Sequence, residues 1–560
     1  MPKFPATLWR WDLLRPTTNT GPFHKLQSFI TDFTNDNNLP DQLLPMAPVS
    51  LERDISYGPA AVVASHAVAA VYLMVEAGRS LHRAYQNLGP SQDTRGQIAR
   101  RNVLLPLFAG LALISLARAV YGAVDYGVLS YKVWASTYGL ELPVRLYGDK
   151  GIFGENATPV YLNHWLNDTP IYLDALQILT EKPRRFWWGQ QLDLGLISWS
   201  MFLAIEGRRR NIRLLWGYQL LGQIVSLAFA QNLFFVAMLL TPVPLPVQAG
   251  GSSPLARFAR LVFPQKPANW TPNVSVFAIL LTLNYANIFW APTQFGDASF
   301  KYWVLASRAL TTAPLLVQYV IPASWGSRYR DIGDVYGTYK TLFKAISVVT
   351  FLLHLRTSLP ALFFNEPDPH RHRHSVYLTS DVERRFAWER TTSAFGRLLE
   401  STSDHPVVGL VGADVILASV SIGFWVATRA MNTFDILACT MPGFSGQQEP
   451  EDKPAKPVTM AWWEAKALMS GANGTGVEAE EESPSRRRGR RRKSKSKTKK
   501  NEPDDGAYKP APSEVSATEG DVLPSDDWDW ESAAVVWGLT ALGGLGLGSA
   551  GAYGSEIIAV

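Results

Sequence analysis

Apolar runs close to or above the roughly 18 residues that a helix needs to cross a bilayer recur along this chain, and they restrict it to one broad class. They fall at about 58–77, 103–124, 192–206, 214–240, 274–292, 302–322, 341–364, 407–428 and 533–553. The third is the shortest. The expected fold is all-α, a polytopic membrane helix bundle of about eight or nine transmembrane helices. Mean composition conceals this, because 47% hydrophobic content is ordinary for a globular enzyme.

Four units are expected along the 560 residues. Residues 1–57 carry Trp9, Trp11 and several prolines without a basic start followed by an apolar core, so they read as an interfacial segment rather than a cleaved signal. Residues 58–428 form the multi-span domain. Residues 429–532 are rich in Pro, Gly, Ser, Glu and Lys, bury too little apolar surface to order themselves, and read as a disordered linker. Residues 533–560 hold a last transmembrane helix.

Arginine placement orients the early spans. Arg79, Arg83, Arg95, Arg100 and Arg101 between the first two runs, and the "GRRRNIR" stretch at 207–213, mark loops on the cytoplasmic side. Strict alternation over nine spans then puts the linker on the opposite side, which its tract "SRRRGRRRKSKSKTKK" (485–500) disfavours. On a multi-span chain that tract reads as an anionic-lipid contact or a solvated tether, not a nucleic-acid site. Sequons at Asn156, Asn167, Asn269 and Asn273 lie in loops that this topology makes lumenal, in keeping with an endomembrane location.

Chemistry is expected where ionisable groups meet the membrane, since such groups are costly there. The stretch "LNHWLNDTPIYLDALQILTEKPRRFWWGQQLD" (162–193) gathers His164, Asp168, Asp174, Asp193, Trp165, Trp187 and Trp188. His164 and Asp168 have the H-x-x-x-D spacing of one acyltransferase class, but Pro170 opens a helix that Asp168 or Thr169 would cap, which separates the pair. A capped interfacial helix explains much of the stretch. Acid beside aromatic faces also suits carbocation chemistry, in which a protonated carboxyl starts the reaction and ring quadrupoles shelter the charge. The expected proton donors are Asp168, Asp174 and Asp193, with Glu76 and Asp414 behind them; Trp165, Trp187, Trp188 and His164 would line the substrate. Burial would favour the protonated form of such a donor.

Asp414 lies deep in an apolar run, and either Arg308 or His354 is its expected structural partner. His354 is also the candidate base of a membrane acyltransferase. Asn284 and Asn287 read as inter-helix hydrogen-bonding residues. The "HRHRH" stretch at 370–374 interleaves arginines with its histidines, which opposes a divalent cation, and the single Cys439 builds no cluster. No phosphate loop, nucleophile elbow or aspartate-rich diphosphate motif occurs, so neither cofactor nor metal is expected.

With its many spans, the acidic and aromatic segment at 162–206, the Lys/Arg-rich tether and the glycine-rich "WGLTALGGLGLGSAGAYG", the chain resembles the large integral-membrane terpene cyclases of fungal meroterpenoid pathways, the ascofuranone and macrophorin kind. That resemblance implies metal-free, acid-initiated cyclisation of a farnesyl or epoxyfarnesyl chain on an aromatic or polyketide head. Its implied partners are a lipophilic prenylated small molecule and membrane lipids. It carries over no individual acid. The alternatives are a membrane-bound O-acyltransferase of the wax-synthase type using His354 or His164, and a transporter or scaffold in which intramembrane acids pair with Arg308.

Overall fold

The computed structural model describes residues 56–88, 95–143, 145–154, 156–241, 270–329, 333–371, 384–429, 431–444 and 528–558. Most of the N-terminal segment, most of the linker with its basic tract, Asn269 and residues 372–374 of the histidine-rich stretch lie outside the described residues. Fourteen α-helices carry the fold: α1 Gly58–Gln86, α2 Arg95–Thr137, α3 Leu162–Asp168, α4 Ile171–Glu181, α5 Pro183–Phe202, α6 Leu215–Ile224, α7 Leu227–Leu240, α8 Val274–Trp290, α9 Phe300–Val320, α10 Gly333–Phe363, α11 Ala387–Glu400, α12 Pro406–Arg429, α13 Thr433–Thr440 and α14 Trp530–Ile558. Two strand pairs of three residues each, β1 Arg145–Tyr147 with β2 Gly151–Phe153 and β3 Trp270–Pro272 with β4 Gly326–Arg328, are the sheet among the described residues. Among the described residues six helices have the length and apolar composition to cross a membrane, α14 among them when its kink at Gly544 is disregarded.

Helix α5 is the axis of the bundle. A π-helical turn, Leu203–Gly207, extends it, and its faces pack against α9, α10, α12 and α14. Trp199, Phe202, Phe234 and Tyr553 are fully enclosed there, and the Phe202 and Tyr553 rings stack at 4.4 Å. By contrast α1 and α2 sit at the rim, with Val68, Val71, Leu113 and Val124 among their outward side chains. A perimeter that presents valine and leucine outward fits a hydrocarbon surround.

Two of the apolar runs are not single helices. The run at 214–240 breaks at Val225–Ser226 into α6 and α7, which fold back on one another: Tyr218 meets Phe234 at 5.5 Å between ring centroids, and Gly222 faces Ala230. The run at 533–553 breaks at Gly544, whose φ of 80° and ψ of 174° belong to a region that only glycine readily occupies. Its two limbs also fold back, since a side chain at Gly548 would meet Thr540 and one at Gly551 would meet Leu539. Both ends of α14 return to the same end of α12: the amide of Asp529 donates to Ala427 O, and Glu556 accepts from Arg429. At 1.5 Å per residue, a limb of about fourteen residues measures about 21 Å, short of the ~30 Å hydrocarbon core.

The open ends of both hairpins converge on a buried ion network. Arg210 reaches Glu206, Glu556 at 3.3 Å and Thr241 O at 3.2 Å, while Arg209 holds Glu206 and Arg429 holds Glu556 at 2.9 Å. The closed tips meet near the middle of α5. A Cβ on Gly195 would touch Leu545 of one tip and Leu227 of the other, so the absence of a side chain at 195 is what lets both tips close on the same face.

Candidate active site

Helix α5 presents Asp193 to α9, where Arg308 Nη1 lies 3.3 Å from Asp193 Oδ1. Both side chains keep more than a quarter of their surface, 27% and 30%, open to an adjoining cavity. That cavity is bordered by Phe186, Asn287, Phe300 and Trp303 as well as by Asp193 and Arg308. Asn287 fixes its wall, donating from Nδ2 to Trp303 O at 3.1 Å and tying α8 to α9. Gln223 of α6 donates to Arg308 O at 3.1 Å, which positions the arginine's helix from behind. One carboxyl, one guanidinium and three aromatic rings therefore share a single space.

The other acids have structural work. Asp414 accepts from Ser226 Oγ at 2.6 Å, Ala228 N at 2.8 Å and Leu227 N at 2.8 Å. It caps the first turn of α7, where the helix break frees backbone donors that have no partner of their own. The expected pairing of Asp414 with Arg308 or His354 is corrected: Arg308 belongs to Asp193, and backbone amides take the carboxylate. Glu76 is held by Arg79 at 2.7 Å in an i,i+3 pair on the rim.

Asp168 is exposed and accepts from Trp134 Nε1 at 3.1 Å and Tyr138 OH at 3.0 Å, which clasps α3 to the end of α2. His164 and Asp168 share α3 at i,i+4, so the expected separation of the two is also corrected. Pro170 itself occupies the N-cap position of α4 and no side chain caps that helix. The His164 ring turns to Tyr161, 5.7 Å away. Asp174 stands in the first turn of α4, half-buried, and that burial pushes its carboxyl above the usual carboxylate range.

The three expected tryptophans, Trp165, Trp187 and Trp188, divide between two places, and none of the three is among the rings around Asp193. Trp165 packs with Trp134 and Ala135 and donates to Ser130 Oγ at 3.2 Å. Trp187 donates to Ser358 Oγ at 2.9 Å and Trp188 to Ser401 Oγ at 3.2 Å, so both turn toward α10 and the turn after α11. Phe186, Phe300 and Trp303 stand around Asp193 instead. Phe300 and Trp303 are not among the expected lining residues; they stand eight and five residues before Arg308 on α9, spacings that mark no single helical face.

His354 lies on α10, 5% exposed, with Nε2 at 3.2 Å from Ser358 Oγ and its ring 5.7 Å from Trp187. A Cβ on Gly544 would fall against His354 Nδ1 and Gln191 Oε1, and Gln191 Oε1 accepts from Leu545 N at 2.8 Å. His354 thus packs at the tip of the α14 hairpin. Among the described residues no three His, Cys, Asp or Glu side chains come together as a metal-binding group. Comparison with protein-family models, curated proteins and solved structures finds no match to this chain.

Proposed function

We propose that the chain is a membrane-embedded terpene cyclase that isomerises a prenylated aromatic or polyketide, with Asp193 as its proton donor. One observation supports this most directly: Asp193 is the one carboxyl bordering a cavity that also holds Phe186, Phe300 and Trp303. In this reading the protein spans an endomembrane, with eight or nine apolar segments entering it, and draws its substrate from the lipid phase.

The contact to Arg308 engages Oδ1, which leaves Oδ2 to carry the proton. That proton passes to an epoxide oxygen or to a terminal alkene carbon. For the epoxide, the C–O bond breaks and leaves a tertiary carbocation; an internal alkene then supplies the electron pair for a new C–C bond. The last cation loses a proton from a neighbouring carbon, and Asp193 takes one up again. Mass is unchanged. Arg308 stabilises the carboxylate that remains after transfer, and the aromatic faces attract the moving cation without bonding to it.

Microsomes from a host lacking such chemistry, fed farnesylated and epoxyfarnesylated phenols, test the proposal. Wild type should give an isomer of unchanged mass and shifted retention, and Asp193→Asn should lower its rate by roughly 10²–10⁴-fold, the usual loss on removing a general acid. Asp168→Asn and Asp174→Asn should keep the product. Formation of product by Asp193→Asn at the wild-type rate would sink the assignment.

A second reading has its own observation. Interrupted helices whose tips meet inside a bundle are how many transporters build a midplane site, and α6–α7 and α14 have that form. Uptake of a solute into sealed vesicles, with no isomerisation of any prenylated phenol, would favour it.

A further inference from the structure

We infer that a groove on the lipid-facing side of the bundle, between α8 and α10, seats one acyl chain of an anionic phospholipid whose phosphate meets Arg356. The inference does not depend on the cyclase reading.

The two helices run in the same direction. Tyr285 OH lies 3.4 Å from Ile346 O and 3.0 Å from Thr350 Oγ1, and further along both helices Arg356 Nη1 donates to Phe289 O at 2.8 Å. Beside these contacts runs a groove of about 610 Å³, a size that holds small molecules elsewhere, bordered by Leu281, Tyr285, Phe289, Trp290, Ile346 and Leu353. Ala278, Thr282 and Ala345 on its rim are exposed, so it opens sideways. Both helices are long and apolar enough to cross a membrane, and that side faces hydrocarbon.

The walls offer nothing polar to a ligand. Thr282 and Thr341 donate their hydroxyls to Ala278 O and Gly337 O of their own helices, and the Tyr285 hydroxyl turns to α10. Such a wall selects hydrocarbon. From Val274 to Phe289 the groove follows α8 for about 22 Å at 1.5 Å per residue. An extended chain of about eighteen carbons, advancing about 1.2 Å per bond as an extended peptide does, covers about 20 Å.

The charge stands at one end. Arg356 is half-buried over the Phe289 ring, 3.7 Å from its centroid, and among the described residues it has no carboxylate partner. A guanidinium at a span is costly until an anion completes it. Phe289 O engages Nη1, which leaves Nε and Nη2, the side-on fork that grips two oxygens of a phosphate. Trp290, 51% exposed, ends α8 at the same level. The 17 residues of α8 measure about 25 Å, close to the hydrocarbon thickness, so that end lies where headgroups begin.

A second copy of this chain fits less well. A two-fold contact would set groove against groove, concave on concave. It would also bring no acid to Arg356, because residues 274–290 and 335–363 contain none.

Native mass spectrometry of the full chain in detergent tests the site, with phosphatidic acid, phosphatidylcholine and diacylglycerol of the same acyl chains. Wild type should bind one phosphatidic acid about 10-fold or more tighter than diacylglycerol, the range for a charge-assisted hydrogen bond, and tighter than phosphatidylcholine, whose choline cancels the phosphate charge. Arg356→Gln, which keeps a donor for Phe289 O, should abolish both preferences. Ala286→Trp keeps Arg356 but fills the groove, and should weaken all three lipids. Equal binding of phosphatidic acid and diacylglycerol by wild type would overturn the site, and that comparison needs no variant to fold. Unchanged preferences in Arg356→Gln, or unchanged binding in Ala286→Trp, would overturn it too. Displacement of phosphatidic acid by an equal concentration of oleate would identify a fatty-acid site instead, and a dimer that Ala286→Trp disrupts would identify a second copy; either result removes the phospholipid.

Discussion

The two hairpins reach the same point on α5 but close their tips in opposite ways. At the α6–α7 tip the broken backbone is satisfied by a carboxylate, Asp414, together with Ser226. At the α14 tip the amide of Leu545 is satisfied by the neutral Oε1 of Gln191, and Gly544 supplies a turn that other residues resist. One break is sealed by charge and the other by conformation. Backbone groups inside a membrane must find partners within the protein, and an acid or a glycine-plus-amide each solves the problem.

That contrast predicts an order of sensitivities. Asp414→Ala should be the most damaging, because it strands two backbone donors and a hydroxyl; at ~1–3 kcal/mol for each unsatisfied group, a loss of several kcal/mol should appear as a large fall in detergent Tm and exposure of the α6–α7 turn to protease. Gly544→Ala comes next. Its backbone conformation costs a non-glycine residue ~1–3 kcal/mol, and the new methyl would press on His354 and Gln191. Gln191→Ala strands a single buried donor, the Leu545 amide, at ~1–3 kcal/mol, so it should loosen only the α14 tip, seen as faster amide exchange at Leu545. Glu76→Gln, outside both hairpins, should change Tm very little, since exposed ion pairs contribute ~0–1 kcal/mol. If Gln191→Ala proved worse than Asp414→Ala, the contrast between the two seals would collapse.

Much of the bundle is legible in the sequence, because apolar length and arginine placement report directly on helices that face lipid. The start of α1, the limits of α12 and the run of α8 follow closely from hydropathy. The interruptions do not. "GYQLLGQIVSLAFAQNLFF" reads as one continuous run, and the only local mark of a break is Ser226 three residues before Phe229, whose amide it accepts. "ALGGLGLGSAG" announces flexibility but not a reversal, since glycines also serve close helix packing.

Asp193, Arg308 and Asp414 all stand out as costly intramembrane groups, yet their partners depend on which helices meet. Asp414 was expected to pair with a basic side chain because sequence cannot show that a broken helix offers free amides. The aromatic lining fails for a related reason: Trp187 and Trp188 are near Asp193 in sequence, while Phe300 and Trp303 are near it in space. Helix α5 places successive residues on different faces, so the two tryptophans turn away from the acid.

The hairpin α14 also completes the centre of the bundle. It leaves the ribosome after every other described helix, separated from α13 by the stretch 445–527. Until it arrives, Gly195, Ser198 and Phe202 of α5 lack their packing partners, and Arg210 and Arg429 lack Glu556. The centre of the bundle is therefore complete only with both limbs of α14 in place among the helices that precede them.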